Sequence, residues 1–139
     1  MSKHHQPPSP KAYEAGWLQA LAVALGSGLG GLARWGVAWW INPLWAGFPL
    51  GTLAVNCLGG LFIGAALVGF GRVPNELLRL LLVTGLLGGL TTFSAYSAES
   101  LQLLQRGALG LAMLHTLANV LGALGCAALG VQLARACLG

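Results

Sequence analysis

Polar residues that can meet an ion lie inside the most apolar parts of this chain. The run from Gly85 to Glu99 reads GLLGGLTTFSAYSAE, with two glycines followed closely by two threonines. Glycine and β-branched residues are poor helix formers, so the run predicts a local break in a helix. A break frees backbone carbonyls, and the carbonyls of a discontinuous helix commonly hold Na⁺. The alternative is a packing seam of small residues whose hydroxyls bond back to their own helix.

Amide and imidazole groups form a second polar set. Asn56 lies four residues after Thr52, so the two share one face of a helix. A primary amide in lipid is costly unless it finds a partner, and Asn56 is therefore either interhelical glue or a donor that faces a ligand. His115, Thr116 and Asn119 form another stripe, in which we favour a bonded packing role for the histidine over a proton relay.

Composition indicates lipid as the main surroundings of these groups. Of the 139 residues, 56% are hydrophobic and 7% are charged, whereas a soluble domain carries about 25% charged residues. The net charge of +4 is small and scattered, which argues against nucleic acid as a partner. Cys57, Cys126 and Cys137 lie in or beside apolar runs and are expected to be buried small residues rather than a disulfide or zinc framework.

Four apolar segments predict an all-α membrane protein with four transmembrane helices. They cover about residues 17–40, 48–70, 79–104 and 107–135, and each can supply the ~20 residues that cross the hydrocarbon core. Residues 1–16 are expected to form a flexible polar tail, and residues 17–139 a four-helix transmembrane domain. Lys and Arg are more frequent on the side of both termini, which mildly favours cytoplasmic termini without excluding insertion in both orientations.

Small residues recur at four-residue spacing in every predicted helix. Such residues let helix backbones approach closely in lipid, so a tight bundle is expected. Four short helices leave little room for a pore within one copy, which favours a self-associating dimer. The spaced sets are Gly26/Gly30, Ser27/Gly31, Gly60/Gly64, Gly85/Gly89 and Gly122/Cys126/Gly130.

Three motifs in this order resemble the Fluc/CrcB family of fluoride channels. They are GGLAR ending at Arg34, PLGTLAVN ending at Asn56, and TGLLGGLTTFSAYSAE ending at Glu99. The resemblance covers about residues 21–135. It implies a passive channel, not an enzyme, that exports fluoride across the cell (plasma or inner) membrane. It further implies an antiparallel, dual-topology homodimer with a third helix broken mid-membrane and a structural Na⁺ at the centre of the interface.

The resemblance also implies a role for individual residues. Asn56 corresponds to the pore amide, and Phe93 to the first pore aromatic. The second pore phenylalanine is Tyr96 here, and the threonine between the aromatics is Ala95; we expect Tyr96 still to offer its ring edge and its hydroxyl to tune conduction. The remaining implied assignments are Thr52, Ser94 and Ser97 in the polar lining, Gly88 and Thr91 as Na⁺ ligands through backbone carbonyls, and Arg34 and Glu99 near vestibules or helix ends. His115 and Asn119 stand where Ser or another small polar residue is common in the family, and we expect them to be structural polar groups.

The chemistry of these residues is compatible with fluoride as the partner. Fluoride is small and strongly hydrated, so a pore must replace its water with close donors, and the edge of a phenyl ring is its positive rim. A neutral lining avoids trapping the ion, as conduction requires. The alternative function is a small proton-coupled multidrug exporter. That class needs a carboxylate within its first helix, where the nearest one, Glu14, lies outside the predicted span.

Overall fold

Long helices make up nearly all of the described chain. The computed structural model describes residues 10–139. Its helices are α1 (Pro10–Ile41), α2 (Leu50–Arg72), α3 (Glu76–Arg79), α4 (Gly88–Leu90), α5 (Phe93–Gln105) and α6 (Leu109–Leu138). A π-helical segment (Leu80–Leu87) joins α3 to α4, and a 3₁₀ turn (Asn42–Leu44) follows α1.

Within the described residues, four stretches are long and apolar enough to cross a membrane, which confirms the prediction of an all-α, multi-pass membrane protein. They are Gly16–Leu44, Leu50–Arg72, Glu76–Gln105 and Leu109–Leu138. Helix α1 already begins at Pro10, so residues 10–16 are helical although the sequence predicted a flexible tail there. The rest of that predicted tail, residues 1–9, lies outside the described residues.

Short connections determine where the spans end. After α1, the Asn42 side chain accepts a hydrogen bond from the Gly51 N–H at 2.7 Å, which ties the start of α2 to the preceding turn. Gly47, in the same connection, has φ +93°, and Gly107, between α5 and α6, has φ +72°. Glycine adopts such positive φ values without the steric cost that a Cβ brings. These glycines let the chain turn within a short connection, so that successive spans lie side by side.

Helices α2 and α6 form the most extensive packing in the described chain. A Cβ added at Gly60 or Gly64 would collide with the backbone carbonyl of Ala123 or Ala127, and one added at Gly130 would collide with that of Leu61. Because these backbones touch directly, the predicted small-residue seam is confirmed here. It positions the polar residues of α2 opposite those of α6.

A second seam joins α1 to the third span. The π-helical segment and α4 both pack on α1, and a Cβ on Gly26 or Gly30 would meet backbone atoms of Leu81 to Leu90. In return, Gly85 and Gly89 lie against the backbone of Gly26 and Ser27. The chain thus consists of two closely packed helix pairs, with α5 reaching from the third span onto α6.

Candidate functional site

The third span changes backbone conformation between α4 and α5. Thr91 has φ −79° and ψ 156°, and Thr92 has φ −153° and ψ 122°, so both are extended. The Thr92 side chain then caps α5 by accepting a hydrogen bond from the Ala95 N–H at 3.1 Å. Gly88 and Gly89, where the sequence predicted poor helix formation, are themselves helical.

The side chain of Asn56 satisfies the backbone of Thr92. The Thr92 N–H donates to Asn56 Oδ1 at 2.9 Å, and Asn56 Nδ2 donates to the Thr92 carbonyl at 3.3 Å. The same Nδ2 also donates to Asn119 Oδ1 at 2.9 Å. One amide on α2 therefore links the third span to α6. Of the two roles that the sequence left open for Asn56, this is the interhelical one.

Two carbonyls of the third span lose their regular helical donors. In a continuous α-helix, the Gly88 carbonyl accepts from the N–H of residue 92, and the Thr91 carbonyl from that of residue 95. Here the Thr92 N–H donates to Asn56 and the Ala95 N–H donates to Thr92 Oγ1. The carbonyls that lose these donors are those of Gly88 and Thr91, which the family resemblance implies as Na⁺ ligands.

Side-chain clusters offer no alternative metal site in the described part of the chain. Among residues 10–139, no group of three or more His, Cys, Asp or Glu side chains lies close enough to hold a metal ion.

An uncharged cavity of about 420 Å³ lies beside the extended step. Thirteen residues of α2, the third span and α6 line it, and none of them has a charged side chain. Phe93 is 79% exposed at this cavity, and its ring centroid lies 5.3 Å from that of Tyr96. The predicted site residues in the lining are Asn56, Thr91, Phe93, Tyr96 and Asn119.

A smaller cavity, of about 200 Å³, lies toward the α1–α2 connection and has charged groups in its wall. Glu99 and Arg106 both line it. The Thr52 hydroxyl donates to Glu99 Oε1 at 2.7 Å, so α2 holds this carboxyl group in place. Thr52 and Glu99 were predicted separately as pore lining and vestibule, and the structure joins them in one hydrogen bond.

His115 lies in the interior, consistent with the bonded packing role favoured from the sequence. Its side chain is 0% exposed, and its Nδ1 is 3.0 Å from Ser100 Oγ. The Phe48 ring meets it edge-on and the Tyr96 ring stacks on it, both with centroids 5.5 Å away. Sequence analysis did not identify Ser100 or Phe48, because neither forms a polar pattern with His115 along the chain.

Six predicted site residues line neither of these two cavities: Arg34, Thr52, Gly88, Ser94, Ser97 and His115. Ser94 Oγ lies 3.2 Å from Thr92 Oγ1, and the Ser97 hydroxyl donates to the Phe93 carbonyl at 2.8 Å. Arg34 lies half-buried on α1 and is absent from both linings. Their roles in a pore stay predictions.

The fold and the site together define a small multi-pass membrane protein with an uncharged cavity at an extended step in its third span. The family described as "CrcB-like protein, Camphor Resistance (CrcB)" matches residues 21–131. The chain belongs to the CrcB family.

Several curated relatives resemble the chain over most of their length. A protein of Aromatoleum aromaticum is 50% identical over 106 residues, which are 75% of this chain and 81% of the relative. One of Escherichia fergusonii is 48% identical over 111 residues, or 78% and 87% of the two chains. One of Nitrosomonas europaea is 46% identical over 110 residues, with the same coverage of 78% and 87%. Each of these relatives is named a fluoride-specific ion channel FluC.

Proposed function

We propose that this protein is a fluoride-selective channel that passively exports fluoride from the cytoplasm across the inner membrane. The observation that carries the proposal is the cavity lined by Asn56, Phe93 and Tyr96 without a charged side chain. An anion needs partners that replace its water, and the edges of aromatic rings provide them without a fixed charge. Membership of a family with relatives named fluoride-specific channels supports fluoride as the ion.

Transport without chemical turnover fits this site. The cavity wall consists of amides, hydroxyls, aromatic rings and aliphatic side chains, a set that binds an ion and releases it. Binding must be favourable enough for entry and weak enough for exit. The protein therefore acts as a channel rather than as an enzyme.

The extended step of the third span acts, in this proposal, as the mid-membrane break of the family. The carbonyls of Gly88 and Thr91, which lack their regular helical donors, would hold a structural Na⁺. When bound, that ion supplies positive charge near an otherwise uncharged anion path. The chain's own part is to expose these oxygens, which Asn56 and the Thr92 cap do by taking the N–H groups of residues 92 and 95.

The channel is an antiparallel, dual-topology homodimer in this proposal. Phe93 is 79% exposed although it lines the cavity, and a second copy would cover it. Gly88 is exposed as well, and in the dimer its carbonyl would meet a symmetry-related carbonyl at the centre of the interface. Surrounding lipid covers the remaining apolar surface.

Fluoride efflux from liposomes tests the proposal. Purified protein is reconstituted into vesicles loaded with potassium fluoride, and efflux is started with valinomycin and followed with a fluoride electrode. We expect rapid fluoride efflux with no chloride efflux in a parallel sample and no requirement for a proton gradient. Efflux that requires a proton gradient would instead favour the proton-coupled exporter.

Replacing Phe93 tests whether fluoride passes along the cavity that Phe93 lines rather than along another part of the surface. Phe93→Ile removes a ring edge from the cavity, and we expect fluoride efflux to fall about tenfold or more, equivalent to a barrier higher by about 1.4 kcal/mol. Phe62→Ile is the matched control, because Phe62 lies on α2, is 54% exposed and is not in the lining of this cavity. Equal efflux from the two variants would contradict a path along Phe93.

A further inference from the structure

A buried polar pair lies between the two cavities and is not explained by the proposed pore lining. His115 Nε2 lies 3.4 Å from Glu99 Oε2. Neither atom has a hydrogen-bond partner among the residues that the structure describes, although both are inaccessible. The other polar atoms of the two side chains are occupied, since Glu99 Oε1 accepts from Thr52 and His115 Nδ1 bonds to Ser100.

The two side chains of the pair lie next to both cavities. Glu99 lines the smaller cavity. His115 stacks on Tyr96, and its carbonyl accepts from Asn119 Nδ2 at 3.0 Å; Tyr96 and Asn119 both line the larger cavity. An anion that moved between the two cavities along these contacts would therefore pass through the electric field of this pair.

The charge of the pair depends on one proton. An ionised carboxylate is only an acceptor, and a neutral imidazole carries a single N–H, so this state has a net charge of −1. Adding one proton gives either an imidazolium beside a carboxylate or an imidazole beside a carboxylic acid, and both are neutral. In a poorly solvated interior, a unit charge acts strongly on a nearby ion.

Few other ionisable groups face the pair within residues 16–139. From α5, Tyr96 stacks on the imidazole, and Arg106, just beyond α5, shares the smaller cavity with Glu99. Helix α2 contributes Thr52, and the α1–α2 connection contributes Phe48, neither of which titrates.

We propose that Glu99 and His115 form one proton-binding unit that sets the electrostatic barrier to the anion between the two cavities. Without its extra proton the unit is negative and opposes the anion. With the proton it is neutral and admits the anion. The inference rests on the proposed function as an anion channel.

The pH dependence of fluoride efflux tests the unit. For the wild type, we expect efflux to rise at least about threefold between about pH 8 and about pH 6, the range in which imidazole titrates. Protein-free vesicles give the background of neutral hydrogen fluoride, which is subtracted. His115→Asn and Glu99→Gln cannot form the unit, so their efflux ratio between the two pH values should be close to one.

The other two histidines supply a matched control. The double variant His4→Asn/His5→Asn removes every histidine except His115, and we expect it to keep the wild-type ratio. A flat wild-type profile would overturn the proposal. So would a His115→Asn variant that keeps the pH ratio.

A measurement that does not depend on transport tests the proton-binding unit independently of the proposed channel function. In the His4→Asn/His5→Asn background, the ring signals of His115 can be followed by NMR as the pH changes. Adding Glu99→Gln should move this titration to lower pH, because the carboxylate charge favours the imidazolium. An unchanged titration would refute the coupling, whereas an absence of fluoride efflux at every pH, with the NMR shift present, would refute only the channel function.

Discussion

At the scale of single residues, Asn56 organises the candidate site. It donates to and accepts from the Thr92 backbone and also bonds to Asn119. The sequence predicted that this amide needs a partner, because an unpaired amide in lipid is costly. It did not predict the partners, which lie 36 and 63 residues away and depend on how three helices pack.

Replacing Asn56 should weaken both the fold and the conduction path. Asn56→Ala leaves the Thr92 N–H and Asn119 Oδ1 without the partners that Asn56 supplies, and we expect the free energy of unfolding in detergent to fall by about 2–4 kcal/mol. Fluoride efflux should fall with it. Asn75→Ala is the matched control, because Asn75 only caps α3 at an exposed position by accepting from the Leu78 N–H. Its loss should cost about 1 kcal/mol and leave efflux unchanged. An Asn56→Ala variant as stable as Asn75→Ala would contradict the assigned bonds.

At the scale of helices, the sequence predicted the small-residue seams but not their pairing. Four-residue glycine spacing marks a face that permits close approach, whereas the partner follows from the three-dimensional packing, which places α2 on α6 and α1 on the third span. The run from Gly88 to Thr92 predicted weak helix formation. The extended angles occur at the threonines and not at the glycines, because Asn56 and the Thr92 cap supply partners there.

The α2–α6 seam predicts a position-specific effect of valine on one helix. A Cβ at Gly64 would collide with the Ala127 carbonyl, whereas Gly69, also on α2, has nothing within 4 Å of such an atom. Gly64→Val should therefore lower the free energy of unfolding by about 1–3 kcal/mol through overpacking. Gly69→Val has the same intrinsic helix propensity and should change it by less than about 1 kcal/mol. Thermal unfolding in detergent measures both, and equal stability of the two variants would show that the seam is not tight.

At the scale of the whole molecule, the four spans were predictable to within several residues. The membrane thickness fixes the length of each apolar stretch, and the charged residues near their ends are visible in the sequence. The assembly is a different matter, because lipid-facing and partner-facing apolar surfaces have the same composition. In the structure, Phe93 is 79% exposed in an open cavity, which supports the presence of a second copy. Hydropathy alone does not predict this exposure.

Cross-linking tests the proposed dimer at its centre. In a chain with its three native cysteines replaced by alanine, Gly88→Cys introduces a thiol whose Cβ meets only the Val83 carbonyl at 3.7 Å within the chain. We expect a short thiol-reactive cross-linker to join two copies at this position. Gly36→Cys on α1, where an added Cβ meets nothing within 4 Å, should stay monomeric. The opposite pattern would place the interface elsewhere.

The reversal potential of the current in a planar bilayer under a fluoride gradient tests most directly whether the protein is a passive fluoride channel. A passive fluoride channel predicts a reversal potential that moves by about 59 mV for each tenfold change in the fluoride gradient. It should be unaffected by chloride or proton gradients. A reversal potential that follows the chloride or proton gradient would contradict passive, fluoride-selective conduction.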